Sequence, residues 1–182
     1  MTTVISDTPA EIASALDDFF TLEASGWKGR ARTAALLHPD IMKFMTAAVA
    51  ALAAEGRAQI VRLCVDGDAL AAVVILRSGG SAWCWKIAYN ERRARFSPGV
   101  QVILDATAML LTDAGICCVD SCATPDHPMI DHIWRERLIL ADRLISFEPG
   151  GAFRFRAACA LESSRRSAIA AAKAVRHWAV WT

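Results

Sequence analysis

The sequence predicts an α+β fold with an α/β three-layer arrangement: a mixed, mostly antiparallel sheet with helices on both faces. Two helical segments occupy residues 1–56. Three strand-like runs separated by tight turn signals follow at once. A helix and a further apolar strand come next, which adds a crossover strand to the antiparallel meander and makes the sheet mixed.

The first helix is expected over Pro9 to Gly26. Thr8 is a good N-cap, Pro9 suits the first turn, and Glu11 completes a capping box. Ile12, Leu16, Phe19, Phe20 and Leu22 form its apolar face, and Gly26 is a plausible stop. Gly26 to His38 reads as a loop rich in Gly, Arg and Lys, and Pro39 to Glu55 as a second helix ended by Gly56. Gln59 to Val65 and Ala69 to Leu76 are rich in β-branched and aliphatic residues, and Asp66-Gly67 between them is a hairpin signal. Ser78-Gly79-Gly80 turns the chain into a third strand, Ala82 to Tyr89. Pro98 to Asp113 reads as a helix with Ser97 as N-cap, and Ile116 to Ser121 as a short buried strand. Pro128 opens a helix to about Leu138, with Met129, Ile130, Ile133 and Trp134 on its apolar face. Ile139 to Phe147 and Ala152 to Ala158 could pair as a hairpin across residues 148–151. Leu161 to Trp181 reads as a basic C-terminal helix.

The chain has 182 residues and a mass of 19.7 kDa, the size of one domain. Within it, residues 1–56 are the helical part, 57–160 the sheet core and 161–182 the basic helix. With 54% hydrophobic and 21% charged residues, a disordered chain is excluded. Mean hydropathy is +0.30, but no uncharged run reaches the ~18 residues that a spanning helix needs. The N-terminus lacks the basic and apolar regions of a secretory signal, so a cytoplasmic protein is expected. A net charge of +1 gives no reason to expect nucleic acid as a partner. Six cysteines without a CxxC pair read as small apolar residues in a reducing compartment. No metal site is expected: His127 and His132 lie roughly 140° apart around a helix and share no face.

One feature points to a ligand. The helix at Ser97-Pro98-Gly99 follows Arg92, Arg93 and Arg95, so free backbone N–H groups at a helix N-terminus and nearby arginines form a candidate anion site.

Three stretches carry a family resemblance: FFTLEASGWKGRARTAALL (19–37), WKIAYNERRARFSPGVQ (85–101) and DSCATPDHPMIDHIWRERLILADRLI (120–145). They resemble, in order, segments of the acetyltransferase family linked to bacterial cellulose biosynthesis (CelD-type). That family belongs to the GNAT superfamily and is related to the Fem-type aminoacyl transferases. The likeness is to the C-terminal half of family members that carry two GNAT-like halves. Arg32-Thr33-Ala34 stands where the family usually has Gly-Thr-Ala, and Tyr89-Asn90-Glu91 where it has Tyr-Asp-Glu.

The resemblance implies a GNAT-like fold and an acyltransferase that uses acetyl-CoA or another acyl-CoA as co-substrate, with no metal. The pantetheine arm would pair with the strand Ala82 to Tyr89. Arg93, Arg95, Ser97, Gly99 and Val100 would hold the pyrophosphate. Acyl transfer needs an acceptor that loses a proton, a stabilised oxyanion and a leaving thiolate. Tyr89 is the expected proton donor to the thiolate and Glu91 a base acting through water. Asp120 is expected to orient an amine or a histidine. His127 is placed as a neutral base beside Asp126. Trp27, Lys28 and Lys86 are expected at the acceptor, with Lys86 on the face of Cys84 and Ala88, pairing with a carboxylate such as Asp120 or pointing into the cleft. The acceptor is a small molecule, with a sugar or polysaccharide precursor suggested by the family's association. A homodimer is possible. The rival readings are a catalytically degenerate GNAT-like binding module and a Fem-type aminoacyl transferase.

Overall fold

A computed structural model describes residues 1–141, 143–147 and 152–180, without the side chains of 152 and 173–180. The chain divides into two units, Met1–Arg137 and Leu138–Thr182.

In the first unit, strand β1 (Thr2–Ser6) precedes helix α1 (Pro9–Ser25), the single turn α2 (Trp27–Arg30), a 3-10 turn (Ala35–Leu37) and helix α3 (Pro39–Ala54). Strands β2 (Ala58–Val65), β3 (Asp68–Ser78) and β4 (Ser81–Tyr89) form the expected meander. A 3-10 segment (Glu91–Phe96), helix α4 (Pro98–Thr112), strand β5 (Cys118–Asp120) and the single turn α5 (Ile130–Ile133) complete it. The sheet order is β1-β2-β3-β4-β5, antiparallel throughout except that β5 runs parallel to β4.

The expected mixed sheet with helices on both faces is present because strand residues alternate between two cores. Ile60, Ala72 and Val74 pack with Phe19, Leu16 and Val49 of α1 and α3. Val61, Val73 and Ile75 pack with Val102, Ile103 and Ala106 of α4 on the opposite face. The capping box at the start of α1 forms as expected, with the Thr8 hydroxyl and the Glu11 backbone and carboxylate bonded to each other. Thr8→Ala is expected to cost about 1 kcal/mol in chemical denaturation.

Several expectations are corrected. The N-terminal strand β1 was not expected; it is a five-residue edge strand whose Val4 and Ile5 stay exposed, too short and polar to stand out. The 26–38 loop contains α2 and a 3-10 turn. β5 is three residues long, pairs only with the first three residues of β4, and is not buried. The helix from Pro128 is one turn. Trp134 leaves it in extended backbone while its indole N–H donates to Thr107 Oγ1 on α4 at 3.0 Å, a tertiary bond that competes with helix continuation. Asp131 pairs with Arg137 at 3.3 Å in place of Arg135. Only Cys64 and Cys84 are buried; Cys117, Cys118 and Cys122 are exposed, and all six are free thiols.

In the second unit the expected hairpin does not form. Residues 152–158 belong to helix α6 (Ala152–Val180), whose alanine-rich sequence favours a helix and whose Glu162 pairs with Arg165 and Arg166. The C-terminal helix therefore starts at 152 and not at 161, and Trp181 lies outside the described residues. So do residues 148–151, where the hairpin turn was expected.

Candidate active site

The end of β4 is built differently from its start. β5 pairs with Ser81 to Trp83 only, so among the described residues Cys84 to Tyr89 has β3 on one side and no strand on the other. A bulge opposite Val74 and Ile75 also reorients the strand: Cys84 pairs with Ile75 and Lys86 with Val74. Cys84 therefore joins the α4-side core, while Ala88 joins the α1-side core and Lys86 reaches Glu23 of α1. This corrects the expectation that Lys86 shares a face with Cys84. Its carboxylate partner is Glu23, not Asp120. Burial pushes the Cys84 thiol up to about 12, with Cys122 and Asp120 adding to it, so it is no nucleophile at neutral pH.

Beyond Tyr89 the chain turns through Asn90, whose side chain accepts the Arg92 N–H, and enters α4 at Pro98. Ser97 is left-handed (φ 51°) and its hydroxyl does not cap α4, contrary to expectation. The amides of Gly99 and Val100 thus open α4 without a side-chain cap, and Arg92, Arg93 and Arg95 are exposed just before them. Arg95 stacks over Phe96, 4.5 Å from the ring centroid. A Cβ at Gly99 would lie 3.0 Å from the Tyr89 ring, so the missing side chain lets the phenol lie against the first turn of α4.

A cleft opens between α1, α2 and the end of β4. Leu22, Glu23, Trp27, Lys28, Tyr89 and Glu91 are among its lining residues. Four residues named from the sequence thus meet there: Trp27, Lys28, Tyr89 and Glu91. Glu91 holds α2 in place, accepting the Trp27 N–H at 2.6 Å and Arg30 at 2.6 Å. These bonds, Arg30's first, hold its carboxyl below the usual carboxylate range.

Glu23 is the residue that sequence reasoning missed. It is 4% exposed; Oε1 accepts Lys28 at 2.7 Å and lies 3.5 Å from Lys86, and Oε2 accepts the Ala35 N–H at 2.9 Å. Burial raises its pKa, but the Lys28 and Ala35 bonds and the two lysine charges outweigh burial and leave it below its ordinary value. The signal was present: Glu23 falls on the apolar stripe of Leu16 and Phe19, where a charge needs a partner.

Asp120 and His127 do not line this cleft. Asp120 pairs with Trp83, about 20 Å along β4 from Tyr89, and its side chain accepts the Cys122 N–H. His127 Nδ1 accepts the Met129 and Ile130 N–H groups, both at 3.3 Å, which leaves Nε2 to carry the proton in the neutral ring. No metal-binding group of His, Cys, Asp and Glu occurs among the described residues. None of the described helices is by itself long and apolar enough to cross a membrane.

A model of the family described as "Acetyltransferase (GNAT) domain" matches residues 1–127. No curated protein matches the chain. Among solved structures the chain resembles the ribosomal-protein-alanine N-acetyltransferase of Brucella melitensis biovar Abortus 2308, at 15% identity and a TM-score of 0.52 over 81% of this chain and 99% of that one. It is similar to the aminoglycoside acetyltransferase meta-AAC0020 from an uncultured soil metagenomic sample, at 10% identity, TM-score 0.52 and coverage of 81% and 94%. The V. cholerae integron cassette protein VCH_CASS6 matches at 14% identity and TM-score 0.52, covering 86% of this chain and 98% of that one. At these identities the likeness is one of fold.

Proposed function

The chain belongs to the acetyltransferase (GNAT) domain family, and from that membership we propose that it transfers an acyl group from acetyl-CoA to a small acceptor bound in the cleft between α1, α2 and the end of β4. The observation that carries this reading is the outer edge of Cys84 to Tyr89, which no strand pairs among the described residues, running into the N-terminus of α4, which has no side-chain cap. That edge offers backbone donors and acceptors to an extended amide-bearing arm. The Gly99 and Val100 amides with Arg93, Arg95 and Ser97 nearby fit a pyrophosphate. Acetyl-CoA supplies the activated thioester; the protein supplies position, charge and protons.

Tyr89 lies where the strand edge meets the cleft, and its phenol is the proton donor to the departing thiolate. Glu91 keeps lone pairs free beyond its two bonds, so it positions α2 and can draw a proton from the acceptor through water. Asp120 and His127 do not line the cleft, and their side chains accept backbone N–H groups just downstream of them. Trp27, 57% exposed, gives the acceptor a flat aromatic wall. That wall and the resemblance to the cellulose-linked, CelD-type enzymes support a sugar or polysaccharide-precursor acceptor.

Acetyl-CoA at about 100 times its Kd should raise stability by roughly 2.7 kcal/mol, and thioester hydrolysis should exceed the protein-free rate. No stabilisation at millimolar CoA contradicts the reading, and binding without turnover over many acceptors favours a degenerate binding module. Tyr89→Phe should lower kcat about 100-fold while CoA-induced stabilisation persists.

A further inference from the structure

We propose that Lys28, which lines the cleft, and Lys86, which lies beside it across the lining residue Glu23, form an anion-recognition site, so that the acceptor carries a carboxylate or phosphate group. This rests on the acyl-transfer reading above for what enters the cleft, but the charge argument stands on this chain's own residues.

The charged groups at the cleft come from four elements. Glu23 of α1, Lys28 of α2 and Glu91 of the 3-10 segment after β4 line it, while Arg30 of α2 and Lys86 of β4 reach it through their ion pairs with Glu91 and Glu23. Glu91 and Arg30 form a closed pair at 2.6 Å, with Arg30 pointing to solvent. Glu23 faces two ammonium groups with a single negative charge. Its Oε1 lies 2.7 Å from Lys28 Nζ and 3.5 Å from Lys86 Nζ. One positive charge is therefore left over, on side chains only 25% and 28% exposed, where water screens it less than at an open surface.

The geometry suits a second anion. Because both nitrogens lie within reach of one oxygen, they are no more than about 6 Å apart. Two oxygens of a carboxylate or phosphate can bridge donors at that separation with bonds of about 2.8 Å. The lysines are also held from the side: Lys28 lies 5.9 Å from the Trp27 ring centroid and Lys86 5.8 Å from that of Trp85. A polycationic amine finds the opposite. The two negative charges of Glu23 and Glu91 are outnumbered by those of Lys28, Lys86 and Arg30, so a polycation's charges meet a net positive cluster.

The test is titration calorimetry at low ionic strength with CoA first saturating the protein, using glucuronate, inorganic phosphate, glucose and spermidine as probes. Glucuronate or phosphate should bind saturably, at least about tenfold tighter than glucose, and spermidine should not compete. Whichever anion binds tighter identifies the group. Lys86→Met should weaken that anion at least about tenfold, Lys86→Arg should keep it, and Arg57→Met, just before β2 at the opposite end of the strands from Tyr89, should change nothing. Tighter binding of spermidine, or anion binding indifferent to Lys86→Met, overturns the proposal. CoA binding without anion binding overturns it as well and leaves the acyl-CoA reading standing. Anion binding that depends on Lys86 in a protein that ignores CoA supports the site and contradicts the acyl-CoA reading.

Discussion

Gly29→Ala is expected to destabilise the protein by about 3 kcal/mol or more, lowering its Tm by roughly 6–12 °C. A Cβ at Gly29 would lie 1.7 Å from the carbonyl oxygen of Ala24, an overlap with backbone that no rotamer relieves. The turn α2 must then lift off α1. That motion pulls Lys28 from Glu23 and pulls Arg30 and the Trp27 amide from Glu91, so the acceptor cleft opens with the stability loss. Gly80→Ala is the control: its Cβ meets Cys117 Sγ at an ordinary 3.4 Å, and its Tm should move little. Equal Tm values for the two variants would show that α2 is not seated against α1 as described.

Glu23→Leu is expected to cost about 3–5 kcal/mol, because removing one partner of a buried ion pair leaves the other without compensation. Here two ammonium groups and the Ala35 N–H lose their acceptor together. The same carboxylate makes stability depend on pH in a defined sense. Its folded pKa lies below the ordinary value of 4.5, so its contribution is present in full above that value and is lost as pH falls through the folded pKa. The difference in stability between wild type and Glu23→Leu should therefore shrink as pH is lowered below about 4.5. A difference that stays constant from pH 7 to pH 3 would remove Glu23 from its assigned role.

Local chemistry made the fold legible where it dictated geometry. The Thr8-Pro9-Glu11 cap starts α1 where the residues require it. Asp66 and Gly67 both take positive φ, 54° and 92°, which is what a two-residue hairpin turn demands. The β-branched and aliphatic runs of β2 and β3 are strands as expected, and their alternate residues enter the two cores. The bulge in β4 was not legible, because a single extra residue flips the face of Lys86 without changing composition. The short α5 depends on the Trp134–Thr107 bond, a contact 27 residues apart that no local pattern carries. Ala152 to Ala158 reads as a strand because Phe153 to Ala158 alternates, while its helix propensity is continuous with that of the rest of α6.

The candidate site was half legible. Tyr89 and Glu91 follow from the end of β4, and Trp27 and Lys28 of the early segment meet them there, while Asp120 lies near the start of the same strand. Glu23 was hidden because it reads as one more residue of an amphipathic helix until the apolar stripe is counted residue by residue.

Amide hydrogen exchange with and without acetyl-CoA tests the central claim most directly. The account predicts slowed exchange along the outer edge of residues 84–89, which no strand pairs among the described residues, and at Gly99 and Val100, where no side chain caps α4. Protection confined to other elements, or no protection at saturating acetyl-CoA, would contradict it.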